Sequence, residues 1–188
     1  MTPGAIRAFV ALEMSDAVRE RIRLEQQRLR AEMPRARWTR PDGQHLTLKF
    51  LGETPPEILD RFKGELAGRL AGLPAVTVRL GGAGFFPSPR RPRVAWIGGE
   101  ADGGAAVAAA AQAAAAAVGL PPDGRPWSPH LTQARLDRPW PRSAVERFLE
   151  WGRGLAFEPF TCAEAVLFAS ELRPGGAVYT ALERFPLQ

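Results

Sequence analysis

The sequence predicts an α+β fold built from two similar halves. Three observations carry this. The tripeptide His-Leu-Thr occurs twice, as His45-Leu46-Thr47 and His130-Leu131-Thr132, and these are the chain's two histidines. Each copy lies in a short strand-like run that follows a helical pattern and precedes a second helix with its own capping signal. The chain has 188 residues, 45% of them hydrophobic, which suits one domain, residues 1–188, with a sizeable core. Eight residues are Thr, so a Thr two places after a given His is about a 4% accident, and a repeat with matching Leu is a motif.

Residues 6–12 form a short apolar strand. Ser15 or Asp16 caps the helix that follows, whose buried stripe is Val18, Ile22 and Leu29 and which ends before Pro34. Residues 37–39 make a short strand, and Pro41-Asp42-Gly43 marks a turn. The first His strand comes next and ends near Gly52. Alternation places Leu46, Leu48 and Phe50 on its core face and His45 and Thr47 on the other, about 7 Å apart. Thr54-Pro55-Pro56-Glu57 reads as a capping box with Pro at the first helical position. Ile58, Leu59, Phe62, Leu66 and Leu70 give that helix its apolar face, and Gly72 and Pro74 stop it. Residues 76–80 alternate as a strand. Gly81-Gly82-Ala83-Gly84 reads as a structural loop, because it lacks the strand-to-helix context of a dinucleotide fingerprint.

Residues 85–93 are the most basic stretch, kept extended or turning by prolines. Residues 93–97 are a strand, and Asp102 caps an alanine-rich helix that runs to about Val118 and is closed by Gly119. Residues 121–129 are a Pro-rich approach to the second His strand, as residues 41–44 are to the first. Ser143-Ala144-Val145-Glu146 offers another capping box, with Val145, Phe148 and Leu149 on the core face. Residues 160–168 and 177–185 read as closing strands.

Net charge is +5 and nearly all the positive charge is arginine, since Lys occurs only at Lys49 and Lys63. A basic surface favours polyanionic partners, and Arg grips phosphate bidentately where Lys does not. The single Cys162 excludes an intrachain disulfide and suggests a reducing compartment. No segment approaches a membrane span and the N-terminus carries no signal core, so a cytoplasmic protein is expected. Two His and one Cys fill no familiar metal-ligand spacing, so no metal and no cofactor are expected.

The two motifs point to chemistry on phosphorus. Histidine is the side chain that serves as acid or base near neutral pH. Two of them on opposite sides of a phosphorus can run an in-line displacement, one taking a proton from the attacking oxygen and the other giving one to the leaving oxygen. Thr47 and Thr132 would hold the non-bridging oxygens.

The chain resembles the 2H phosphoesterase superfamily, defined by paired His-x-Thr-x motifs, here His45-Leu46-Thr47-Leu48 and His130-Leu131-Thr132-Gln133. Within it the chain is similar to the bacterial and archaeal RNA 2′,3′-cyclic phosphodiesterases, also called 2′-5′ RNA ligases. The supporting stretches are Arg7 to Leu12, His45 to Gly52, Phe86 to Arg93, Arg125 to Arg135 and Tyr179 to Pro186. The resemblance implies a two-lobed α+β structure with pseudo-duplicated antiparallel sheets and flanking helices around a central cleft. It implies hydrolysis of RNA 2′,3′-cyclic phosphate ends to 2′-phosphates, with His45 the proton donor and His130 the proton acceptor. Ligation would be the same site run backward. The implied partners are tRNA fragments or oligonucleotides, with no membrane, no metal and a monomeric protein. Other branches act on small cyclic phosphates such as that of ADP-ribose, and a non-catalytic RNA-binding protein is the reading from a different class. Both His motifs look alike, so the residues themselves do not divide the two roles.

Several further positions carry expectations. In the family an Arg at the place of Arg135 contacts the phosphate. A regular strand puts Arg135 on the face opposite His130, and only a bulge or the strand's end re-aims it. Gln133 departs from the usual aliphatic residue, and on a core face it needs a partner or partial exposure. Arg90, Arg91 and Arg93 are candidates to steer RNA phosphates. Phe9, Trp38, Trp96 and Trp127 are candidates either for base stacking or for the core.

Overall fold

The structure, a computed structural model, describes residues 4–173 and 176–188. In chain order the described residues form β1 (Ile6–Glu13), α1 (Asp16–Glu32), β2 (Arg37–Trp38), a 3₁₀ turn at Pro41–Gly43, β3 (His45–Thr54), α2 (Pro56–Leu70), β4 (Val76–Ser88), β5 (Arg91–Asp102), α3 (Gly104–Ala117), β6 (Leu131–Arg135), α4 (Arg142–Arg153), β7 (Phe160–Cys162), β8 (Glu164–Arg173) and β9 (Gly176–Pro186). Two antiparallel sheets result, with strand orders β3-β1-β8-β9 and β2-β6-β5-β4-β7. The α+β, two-sheet architecture is the one expected, with one His motif in each sheet. The lobes interleave in sequence: the first sheet takes the chain's first and last strands, while β2 crosses to pair with β6.

The largest core cluster draws on both sheets and on α2 and α3. Val10, Leu12 and Leu46 meet Val78, Ile97 and Leu131 there, packed on Phe62, Leu66, Ala111 and Ala115. A second cluster joins α1 and α4 to the second sheet through Leu29, Phe85, Ala134 and Phe148. The shared core fixes the two His strands relative to each other, because close-packed interiors resist sliding.

Three helix starts differ from expectation. Ser15 caps α1, accepting from the Val18 amide at 3.4 Å. Thr54 does not cap α2: its hydroxyl turns inward and donates to the Gly52 carbonyl at 3.2 Å, leaving Pro55 at the cap and Pro56 at the first helical position. Asp102 ends β5 and pairs with Arg79, and the helix begins after Gly103, whose φ of 84° takes the left-handed turn that a glycine supplies without strain. Ser143 lies inside the first turn of α4 behind Pro141, with no side-chain cap. The expected glycine loop is part of β4, which runs on to Ser88 with a register shift between Leu80 and Ala83. Gly84 is needed there for a packing reason, since a Cβ would stand 2.3 Å from the Trp96 ring. Residues 160–168 are two strands, β7 and the start of β8.

Candidate active site

Both histidines are held the same way. His45 Nδ1 lies 2.9 Å from the Gly43 carbonyl, and His130 Nδ1 lies 2.9 Å from the Ser128 carbonyl. A carbonyl only accepts, so each Nδ1 donates and each Nε2 is left to take or give a proton. The contact spans two residues in both cases. It is set by the turn at Pro41–Gly43 on one side and by the Ser128-Pro129 approach on the other.

Beyond each histidine the strand bulges at the fourth motif position. Ala11 pairs with Thr47 and Val10 with Lys49, so Leu48 is an extra residue in β3. Trp96 pairs with Thr132 and Ala95 with Ala134, so Gln133 is the extra residue in β6. A bulge of one residue reverses the alternation that follows it. Leu48 and Lys49 are therefore both buried, as Gln133 and Ala134 are. The fifth residue after each histidine returns to the histidine's face.

This resolves Arg135 and corrects Phe50. Arg135 lines the same cavity as His45, Thr47, Thr132, Thr39, Gly43, Gln44 and Tyr179, a volume of about 80 Å³. The predicted core position of Phe50 is not observed. Phe50 pairs across from Phe9, on the same face of the sheet, and is 43% exposed. His130 immediately precedes β6, the strand that carries Thr132, and its charge acts on His45.

Aromatic rings set the two imidazoles. Phe9 stacks on His45 at 4.5 Å between centroids, and Tyr179 meets it edge-on at 5.1 Å. Phe86 meets His130 edge-on at 4.9 Å, with Trp96 at 6.5 Å. Burial under these rings is the main reason that His45 is pushed down to about 4, and the charges of His130 and Arg135 add to it. The Gly43 carbonyl and Glu13 oppose the shift. Burial also raises the Tyr179 hydroxyl, against the pull of Arg135 and Arg7.

Gln133 finds its partner. Its Nε2 donates to Gln44 Oε1 at 3.2 Å, Gln44 Nε2 donates back to Gln133 Oε1 at 3.4 Å, and both side chains are buried. Gln26, also buried, donates to the Thr39 carbonyl at 3.0 Å, and the Thr39 amide donates to the Gln133 carbonyl at 2.8 Å. Gln44 precedes His45 and Gln133 follows Thr132, so the amide pair ties the two motifs together. A second tie runs from the residues before His130 to β3: Trp127 Nε1 donates to the Thr47 carbonyl at 2.7 Å, and buried Lys49 pairs with Asp123 at 2.6 Å.

Of the aromatic candidates for base contact, Phe9 is buried beneath His45, Trp127 is engaged with Thr47, and Trp38 packs on Trp140. Arg90 and Arg91 are exposed at the tip between β4 and β5, away from the cavity lining, and Arg93 is exposed on β5. Tyr179, Gln44 and Thr39 were missed. Tyr179 is the chain's single tyrosine, but it enters the site from the last strand, a pairing that no local pattern encodes. Among the described residues no three His, Cys, Asp or Glu side chains gather where they could hold a metal ion, and no helix is long and apolar enough to cross a membrane.

Comparison with known proteins follows the same lines. The model of LigT like phosphoesterases matches residues 12–96 and 100–179, one His motif in each stretch. An RNA 2′,3′-cyclic phosphodiesterase of Thermus thermophilus is 37% identical, over 97% of this chain and 91% of its own length. One from Methanothermobacter thermautotrophicus is 28% identical, over 97% and 99%. A Thermus thermophilus crystal structure superposes with a TM-score of 0.81 at 34% identity, covering 97% of this chain and 98% of that one. The Escherichia coli LigT structure complexed with 3′-AMP gives 0.73 at 28% identity, covering 98% and 99%. With the family model matched over both His-x-Thr motifs, and Thr47 and Thr132 of those motifs lining one small cavity, the chain belongs to the LigT-like family of 2H phosphoesterases.

Proposed function

We propose that this phosphoesterase opens the 2′,3′-cyclic phosphate at the end of an RNA and leaves a 2′-phosphate. The observation that carries the reading is the pair of imidazoles with Nδ1 tied back and Nε2 free, beside a cavity holding two Thr hydroxyls and an Arg. Relatives across nearly the full chain are named RNA 2′,3′-cyclic phosphodiesterases, which supports the substrate.

In the proposed step, water attacks phosphorus and His130 Nε2 takes its proton. The bond from phosphorus to the 3′ oxygen breaks, and His45 Nε2 gives that oxygen a proton. Thr47 and Thr132 donate to the non-bridging oxygens and Arg135 balances their charge. One proton enters at His130 and one leaves at His45, so a proton exchange with solvent resets the pair. The same displacement with a 5′-hydroxyl in place of water would form a 2′-5′ phosphodiester, break the bond to the 3′ oxygen and so join two ends without nucleotide energy. Hydrolysis prevails in water.

The experiment is turnover of an oligonucleotide ending in a 2′,3′-cyclic phosphate, in excess chelator, with the product read by phosphorus NMR. The expected product is a 2′-phosphate at an undiminished rate, because imidazoles move the protons. A 3′-phosphate, or loss of activity restored by a divalent ion, would overturn the proposal. Turnover of ADP-ribose cyclic phosphate in preference to the oligonucleotide would move the substrate to small molecules.

A further inference from the structure

We propose, on the reading that His130 is the proton acceptor, that Lys49 of β3 is its positioning residue and acts through Asp123. Residues 121–129, which lead into His130, form no helix or strand, and four of them are proline. Among the described residues no backbone-to-backbone hydrogen bond engages this segment. The approach to His45 is different, because its turn closes on itself. There the Gly43 amide donates to the Arg40 carbonyl at 2.9 Å and the Gln44 amide to the Pro41 carbonyl at 3.0 Å. His130 takes its Nδ1 partner from Ser128, inside the segment, so whatever moves the segment moves the ring.

Side chains hold the segment instead. The bulge at Leu48 turns Lys49 inward, where it is 2% exposed. Its Nζ donates to the Pro121 carbonyl at 2.9 Å and to Asp123 Oδ1 at 2.6 Å. Trp127 makes the second hold. Its Nε1 donates to the Thr47 carbonyl at 2.7 Å, and its ring lies so close to Gly104 that a Cβ there would stand 2.6 Å from it. Both holds end on β3, at Thr47 and Lys49, so the strand of the first motif sets the approach to the second histidine. A buried ammonium without a partner is costly, and the segment cannot lift from β3 without stranding that charge. Replacing a whole buried ion pair by apolar packing is often neutral for stability. The clasp thus governs where the segment sits more than how stably the chain folds.

The test is single-turnover hydrolysis of a cyclic-phosphate oligonucleotide by Lys49→Met, alone and in the His130→Ala background, with circular dichroism alongside. Lys49→Met should stay folded and lower the rate at saturation by roughly 10- to 100-fold, the effect of displacing a reacting group by about 1 Å. Half-saturation should change little, since Thr47, Thr132 and Arg135 remain to hold the phosphate. In His130→Ala, the same substitution should change the rate less than about twofold, because the group it positions is gone. A full rate in folded Lys49→Met, or an equal loss with and without His130, overturns the proposal. If Lys49→Met does not fold, Asp123→Ala and Asp123→Glu carry the test in the same two backgrounds. Asp123→Ala should then lose rate only where His130 is present, and Asp123→Glu should regain it; any other pattern overturns the clasp. Proton NMR of the ring Cε1–H signals separates this from a failure of the catalytic reading. In Lys49→Met, or in Asp123→Ala in its place, the His130 signal should shift and the His45 signal should stay. An unmoved His130 signal overturns the clasp. If wild type does not turn over the oligonucleotide, the catalytic reading fails, while a shifted His130 signal still supports the clasp.

Discussion

The proposed proton donor would be poorly supplied with protons at neutral pH if its pKa lay near 4. His45 is in that position, pushed down to about 4 mainly by burial under Phe9 and Tyr179, and further by His130 and Arg135. At pH 7 only about 0.1% of it would be protonated, three pH units above the midpoint. An anion in the cavity changes the balance. An opposite charge in contact typically shifts a pKa by about 1–3 units, so His45 should rise to roughly 5–7 when the cavity is filled. Each unit is 1.36 kcal/mol, and linkage requires the anion to bind about tenfold tighter to protonated His45 per unit. Protonation and anion binding therefore favour each other. Binding should be tightest below the free pKa and weaken as pH rises through the bound one. The assay is proton NMR of the ring Cε1–H signals, of which the chain has two, with His130→Gln identifying His45. Sulfate is the probe, because its charge stays constant over this pH range. The expected result is a His45 midpoint near 4 without sulfate and at least one unit higher with it. A midpoint near 6.5 in the free protein would refute the burial argument. A midpoint that sulfate leaves unmoved would remove His45 as the acid and give it the part of the base.

The buried amide pair should behave as a unit. Gln133→Leu or Gln44→Leu should each cost roughly 1–3 kcal/mol in urea unfolding, by orphaning the partner amide, while the double variant should cost clearly less than the sum; strictly additive losses would mean that the pair does not couple the two motifs. Thr47→Ala and Thr132→Ala would each remove one proposed hydrogen bond to a charged phosphate and should lower kcat/KM by about 1.5–3 kcal/mol, roughly 10- to 150-fold, with unfolding midpoints kept; wild-type kinetics in either would remove that hydroxyl from the site.

Much of the site was legible because it is written twice. The repeated His-Leu-Thr located both imidazoles and both hydroxyls, and the helix periodicities located the core residues Leu59, Phe62, Leu66 and Leu70. What escaped were features decided by pairing between distant strands. Alternation alone put Phe50 in the core and Arg135 on the wrong face, since a bulge is a relation between two strands and neither carries it alone. The caps failed for a related reason: Thr54 and Asp102 were claimed first by a backbone carbonyl and by Arg79. Gln133 looked like a flaw in its motif because its partner, Gln44, lies 89 residues away.

The central claim is that His45 and His130 act as one acid-base couple. The direct measurement is single-turnover hydrolysis of a cyclic-phosphate oligonucleotide by His45→Ala, His130→Ala and the double variant, with folding verified by circular dichroism. Each single change should cost on the order of 10² to 10⁴ in rate, and the double change far less than the product of the two. Folding should survive, because Leu46 and Leu131 keep the strands in the core. Near-full turnover by either folded single variant would contradict the account.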